Sequence, residues 1–334
     1  MRALTHLAGT RRRTTVAVAA TASCLTLLAA CGSGTQPADG SSGGSDSKAE
    51  NKTIVFSPLG LQIPAMQGLS KGVQGMGKAA GYTVIVQDPK LNPQKQVTDL
   101  QSVVETGKAG GVWALAVQPS SMADLVKTAQ EKKVPMILNG TPEEFGLDGL
   151  APGLSFSKID YVAQGQAIGE ELGNCINEKL DGKAEVIFEE NAPGTAGKED
   201  LESTAKKALA ETAPDAKIVA TIVAKDRQQV QNDIGSALQG NPDVKAVLAN
   251  NDEGSLGALG AFKAAGKELT CVTEAGGNDE VLAAVKAGKI YASVALQFAA
   301  DTAQSFKTLT EMMADPTKEG VQLTVPQKVI KAEG

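Results

Sequence analysis

Between Thr53 and Met313 the chain alternates short β-branched, apolar runs with longer amphipathic segments, and no other feature constrains its fold as strongly. Thr53-Ile54-Val55-Phe56 predicts a buried strand, and Pro64 to Ala80 a helix that Gly81 stops. Thr83 to Val86, a helix near Pro93 to Thr106, and Val112 to Val117 follow. Ser121 with Asp124 three residues on predicts a capped helix running to Lys132, and Val134 to Leu138 is the fourth strand. A loop with Pro142, Gly146, Gly149 and Pro152 interrupts the rhythm, which resumes with a helix from Tyr161 to Leu180. Strands at Ala184 to Phe188, Lys217 to Val223, Val244 to Ala249, Leu269 to Thr273 and Ile290 to Leu296 then alternate with helices. Those helices end at Thr212, Leu238, Ala265 and Ala287, and a last one runs from Asp301 to Met313. Strands and helices of this length in strict alternation predict βαβ units, parallel sheets covered on both faces, and an α/β chain of two doubly wound lobes.

The first thirty residues stand outside that pattern. Arg2, Arg11, Arg12 and Arg13 precede an apolar run from Val16 to Ala30, which reads as a secretory signal and is shorter than the ~20 residues of a spanning helix. Leu28-Ala29-Ala30-Cys31 before Gly32 resembles the bacterial lipobox, so Cys31 is expected to carry lipid and to hold the protein on the outer face of the cell membrane. Residues 31–50 have the small, polar composition of a flexible tether.

Composition narrows the chemistry. Removing the signal takes away four arginines and no acid, leaving 28 basic residues against 38 acidic ones, a formal net charge of −10 that disfavours a nucleic-acid partner. His6 is the only histidine, so nothing after the signal can build a Ser-His-Asp or Cys-His pair or a typical zinc site. Arg227 is the sole arginine beyond the signal, which excludes anion recognition by several guanidinium forks. No metal site, no cofactor and no catalytic residue is expected. Cys175 and Cys271 form an even pair in a compartment where disulfides persist, and a bridge between them is expected.

In doubly wound sheets a ligand sits outside the carboxyl ends of the strands. The positions to inspect are therefore Ser57 to Met66, Asp88, Gln118, Asn139, Glu189 to Lys198, Lys225, Asn250 to Asp252, Glu274 and Gln297, a polar set rich in Gly and Asn. Gly165-x-x-x-Gly169 and Gly254-x-x-Gly257-x-x-Gly260 fall inside helices and lack the Lys-Ser/Thr of a phosphate loop, so they read as close-packing glycines. Trp113 reads as packing, and Asp226 as the cap of the helix opening at Arg227.

Leu69 to Gln87, centred on Gly81-Tyr82-Thr83-Val84, and Ala249-Asn250-Asn251-Asp252-Glu253 leading to Leu256-Gly257-Ala258-Leu259 resemble the ribose-binding-protein family, the type I periplasmic sugar-binding proteins of ABC importers. Asn92-Pro93, Gln118-Pro119, Ala264 to Lys267 and Ala287-Gly288-Lys289 extend the likeness over nearly everything after residue 52. The resemblance implies the periplasmic-binding-protein type I fold, a three-segment hinge near Gly153 to Ser157, Ala295 to Phe298 and Thr324 to Lys328, and ligand capture by lobe closure. It divides the chain into a first lobe of residues 51–154 plus 298–325 and a second lobe of residues 155–297 plus 326–334.

Carried over residue by residue, the family's ligand asparagine falls on Asn251. Its aromatic sandwich falls on Ala65 and Met66, and its Asp-Arg grip on Asn139 and Gly140. Its second-lobe arginine falls near Lys198 or Glu199, a further aromatic on Lys225, its cleft aspartate beside Glu274 or Ala275, and its hinge glutamine near Leu296 or Gln297. The expected ligand set is Gln62, Met66, Asn139, Lys198, Glu199, Lys225, Asn251, Glu274 and Gln297. With the aromatic pair and Asp-Arg grip replaced, plain ribose is expected to bind weakly, and a modified sugar, polyol or zwitterion better.

The function this implies is a monomeric, lipid-anchored solute-binding protein that delivers a small polar ligand to ABC permease subunits and catalyses nothing. A transcription regulator of the lactose-repressor type shares the architecture but needs a helix-turn-helix where this chain has its signal and tether. The alternative is a lipoprotein that presents its ligand to a membrane sensor or serves as a quorum-signal receptor.

Overall fold

The computed structural model describes residues 51–332; the signal, Cys31 and the tether through residue 50 lie outside the described residues. The chain opens with β1 (Thr53–Ser57), α1 (Pro64–Ala79), β2 (Thr83–Val86), α2 (Pro93–Glu105), β3 (Gly111–Ala114), α3 (Ala123–Glu131), β4 (Met136–Asn139) and β5 (Leu154–Lys158). It continues through α4 (Tyr161–Lys179), β6 (Glu185–Asn191), α5 (Lys198–Thr212), β7 (Lys217–Ala224), α6 (Arg227–Gly240), β8 (Ala246–Leu248), α7 (Asp252–Ala265), β9 (Cys271–Gly276), α8 (Asp279–Lys286) and β10 (Ala292–Leu296). The last elements are α9 (Phe298–Ala314), β11 (Gln322–Thr324) and β12 (Gln327–Lys331).

The described strands form two six-stranded sheets, in the orders β11-β5-β4-β3-β1-β2 and β12-β10-β9-β8-β6-β7. Every pairing is parallel except β10 with β12. Within each sheet the first strand in sequence has the second on one side and the third on the other. Each lobe therefore has a switch point, between β1 and β3 in one and between β6 and β8 in the other. Neighbouring loops diverge there and leave a crevice above the carboxyl ends.

Both sheets are buried on both faces, which explains their almost unbroken apolar strands. Val55, Leu100, Val112, Leu125 and Phe156 pack one side of the first sheet, and Ile54, Phe56, Val73, Trp113 and Leu309 the other. In the second lobe Ile187, Val247 and Val272 pack against Val230, Phe262 and Val281. Phe188, Leu248 and Cys271 pack on the opposite side against Ile168, Leu172 and Leu209. There α4 lies so close to α5 that a Cβ on Gly165 would stand 2.2 Å from the Leu201 carbonyl, and one on Gly169 2.3 Å from that of Ala205. Cys175 and Cys271 are joined, with Cα atoms 5.7 Å apart, tying α4 to β9.

The structure corrects three local expectations. The segment near Gly153 to Ser157, expected as a crossing, is largely β5: Leu154 and Phe156 are core residues, and the strand pairs with β4 and β11. Residues 155–158 thus belong to the first sheet instead of the second lobe, and the chain first crosses between Lys158 and Tyr161. The helix expected to open at Asp301 begins at Phe298, because the Asp301 carboxylate accepts a 2.7 Å hydrogen bond from the Ser157 hydroxyl and holds the helix end against β5. Ser121 does not start a capped helix; a 3-10 turn over Pro119–Met122 precedes α3, and the Ser121 hydroxyl donates to the Gln118 carbonyl at 2.7 Å.

Candidate functional site

At the first switch point a side chain inside α2 closes the seam. Gln96 is 1 % exposed and lies on the apolar stripe with Leu100 and Val103. Its Nε2 donates to Ser57 Oγ at 3.0 Å and to the Leu115 carbonyl at 2.9 Å, while its Oε1 accepts the Val117 N–H at 2.8 Å. Both loops leaving β1 and β3 are thereby held by one amide. Asn139, at the end of β4, accepts the Ala116 N–H through Oδ1 at 2.6 Å, so its oxygen is committed to loop geometry. Asp88 accepts the N–H groups of Leu61 (3.1 Å) and Lys90 (3.0 Å), binding the loop after β1 to the loop after β2. Gln62 is exposed on that first loop, and Met66 is half-buried in the first turn of α1.

At the second switch point Asn251 and Asn191 meet. Asn251 caps α7 by accepting the Gly254 N–H at 2.9 Å, and its Nδ2 donates to Asn191 Oδ1 at 3.0 Å. Strand end and helix start are locked together by paired amides. The Asn191 N–H donates to Glu202 (2.7 Å), and the Lys198 ammonium is enclosed by Glu202 (2.6 Å) and Glu190 (3.3 Å). Lys198, expected as a cleft charge, is half-buried and spent on this internal network. Lys206 completes it, 3.4 Å from Glu190 and 4.2 Å above the Phe188 ring. Glu199 and Lys225 are exposed on the same rim.

Glu274 departs furthest from expectation. It is fully buried, and its carboxyl is pushed up to about 8, chiefly by burial; nearby Ser293 opposes the rise, Asp252 adds to it, and the Gly277 N–H opposes it. Glu189 is equally buried, and burial followed by the charge of Glu274 holds its carboxyl well above the usual range. Asp252, raised mainly by burial, accepts the N–H groups of Gly277 (2.8 Å) and Asn278 (2.9 Å).

Three crossing strands of chain join the two carboxyl edges. Gln297, in the second crossing, donates its N–H to the Pro326 carbonyl at 2.8 Å and its Nε2 to the Ala295 carbonyl at 3.2 Å. In the third, Val325 N–H donates to the Lys158 carbonyl at 2.8 Å and Gln327 Nε2 to the Asp160 carbonyl at 2.9 Å, so all three segments are hydrogen-bonded side by side.

Gln96 is absent from the positions marked by the sequence, and Asn191 falls inside the inspected stretch Glu189 to Lys198 but outside the expected ligand set. Gln96 is betrayed only by being a polar residue on an apolar helical stripe; Asn191 carries no distinguishing local signal. Among the described residues no group of three or more His, Cys, Asp or Glu side chains could hold a metal ion. The groups gathered at both edges are amides, a few charges and backbone N–H groups, a chemistry of hydrogen bonding.

A family model described as a periplasmic binding protein domain matches residues 54–316. The chain is 30% identical over 259 residues to the ribose import binding protein of Haemophilus influenzae, covering 76% of this chain and 82% of that protein. It is 29% identical over 255 residues to the ribose import binding protein of Bacillus subtilis, covering 73% and 76% respectively. Among solved structures, an ABC transporter periplasmic solute binding protein from Actinobacillus succinogenes with bound D-allose superposes with a TM-score of 0.71 at 20% identity, over 84% of this chain and 97% of that one. With its two doubly wound sheets and a matched span from residue 54 to residue 316, this chain belongs to the periplasmic binding protein family.

Proposed function

We propose that this protein is the lipid-anchored solute-binding subunit of an ABC importer, closing its lobes around a sugar or polyol and handing it to the permease. The observation that carries the reading is the placement of amide side chains at both switch points, Asn139 beside the Gln96-held loops of one lobe and Asn191 with Asn251 in the other, on carboxyl edges joined by three crossing segments. Amides both donate and accept, which suits the hydroxyls of a carbohydrate. The relatives named as ribose import binding proteins and the neighbour that holds D-allose support the ligand class. Closure is a shift between open and closed populations, which a ligand drives only through contacts made to both lobes at once. Cys31 supplies the anchor and residues 32–50 the reach.

A thermal-shift screen of D-ribose, D-allose, xylitol, myo-inositol, amino acids and nucleosides tests the reading. A true ligand at 100 times its Kd adds ~2.7 kcal/mol of stability. Stabilisation by at least one sugar or polyol is expected, with D-ribose weaker than the best of them. Stabilisation by amino acids or nucleosides alone would overturn the sugar class.

A further inference from the structure

Helix α9 buries Thr302, Ser305, Leu309 and Met312 against the first sheet. These residues recur at the three- and four-residue spacing of one helix face. One turn earlier on the same face comes Phe298, yet Phe298 is 56 % exposed. Helical side chains lean toward the N-terminus, so this first position of α9 lies beyond the last covered residue of the stripe. α1 packs beside α9 on the same side of the sheet and repeats the arrangement: Val73 and Ser70 are buried, and Met66, one turn earlier, is half-buried. In both helices the next hydroxyl on the stripe donates back to the overhanging residue's carbonyl, Ser70 to Met66 at 2.7 Å and Thr302 to Phe298 at 2.6 Å.

The N-terminus of α9 is held firmly. Asp301 accepts from Ser157 at the end of β5, and Gln304 Nε2 donates to Asp301 Oδ1 and to the Thr324 carbonyl at the end of β11, both at 2.9 Å. Phe298 itself directly follows the crossing residue Gln297. An exposed apolar ring thus stands at the head of α9, directly after the crossing and on the strand edge where Asn139 lies in register with Ser157, the residue that holds Asp301. A sugar or cyclic polyol presents C–H groups on one face and hydroxyls around its rim, and the C–H face matches an aromatic surface.

We infer that Phe298, with Met66 overhanging from the neighbouring helix, forms the apolar platform on which the C–H face of a sugar or polyol rests. This rests on the proposed sugar-binding function. It is tested by titration calorimetry of the full chain with D-ribose, D-allose, xylitol and myo-inositol, comparing the parent with Phe298→Ala and Phe298→Tyr. For the ligand that binds the parent best, Phe298→Ala raises Kd about tenfold or more, Phe298→Tyr stays within about threefold, and the melting temperature of the free protein is unchanged because the ring is exposed. Since Trp113 is buried, Phe298→Trp adds an exposed indole whose emission shifts when the ligand seats. Sugar binding by the parent that Phe298→Ala leaves within twofold overturns the platform alone. Absence of any sugar or polyol binding to the parent overturns the functional reading and the platform with it.

Discussion

Glu189 and Glu274 flank Ala249 on one face of the second sheet, both fully buried and neither meeting a partner at hydrogen-bonding geometry. Two desolvated carboxyls near one another cannot both ionise cheaply. Their folded pKa values are raised, Glu274 to about 8. From the ordinary carboxylate range up to about 8, the folded chain therefore binds protons that the unfolded chain releases. Stability then falls as pH rises through that window, and for Glu274 the loss levels off above it. Urea midpoints measured from pH 5 to 8.5 should decline, and Glu274→Gln should stabilise the protein at pH 8 on the order of a few kcal/mol and hardly at pH 5. A stability that climbs with pH across this range, with the Gln variant neutral at pH 8, would contradict the pairing.

Asn251 serves a helix and a strand at once. Asn251→Ala removes the cap on Gly254 and the bond to Asn191, so a loss of ~1 kcal/mol in stability is expected from the cap alone. Asn251→Asp keeps the capping acceptor but loses the donor to Asn191. It should retain most of the stability while still weakening ligand binding, and equal affinity in this variant and the parent would remove Asn251 from the site.

The Cys175–Cys271 link closes a loop with a sequence separation of 96 residues. On the chain-entropy model such a link contributes up to ~4 to 5 kcal/mol. Intact-mass alkylation without reduction should add no label to the secreted protein, and the double serine variant should melt well below the parent. Two labels on unreduced protein would show that the thiols are free in solution.

Arg227 joins the first turns of three helices, reaching Glu253 from α7 (2.9 Å) and Glu280 from α8 (2.8 Å). All three side chains are more than a third exposed, so solvent screening reduces what this clamp contributes despite its geometry. Arg227→Lys loses the planar fork and should cost under about 1 kcal/mol, less at high salt. A loss of several kcal/mol, indifferent to salt, would mean that the clamp organises the lobe.

Cys31→Ser should release the protein from the membrane fraction into the medium while leaving ligand affinity unchanged. Retention of the variant in membranes would refute the lipid anchor.

The two-lobed α/β architecture was readable from the chain because strand and helix periodicities are local: each buried run and amphipathic stretch announces its element without reference to distant residues. The place of Asn251 at the head of α7 is legible for the same reason, since a strand end and a helix cap lie side by side in sequence. What surrounds each polar group was not. Lys198 is a free charge in the sequence and an enclosed one in the structure, because Glu190 joins its helical neighbour Glu202 around it only when β6 lies against α5. Glu274 follows a strand core and reads as a cleft group, but register turns its side chain into the interior, where a slip of one residue would have turned it out. β5 reads as a crossing in the sequence because its partner β11 is far along the chain; the Ser155 hydroxyl accepts the Val321 N–H across 166 residues. Phe298 continues the buried stripe of its helix by spacing, and its exposure is set only once α9 has packed. Local free energies along the chain choose the elements, whereas register, edge and overhang come from contacts that exist only after the elements have packed.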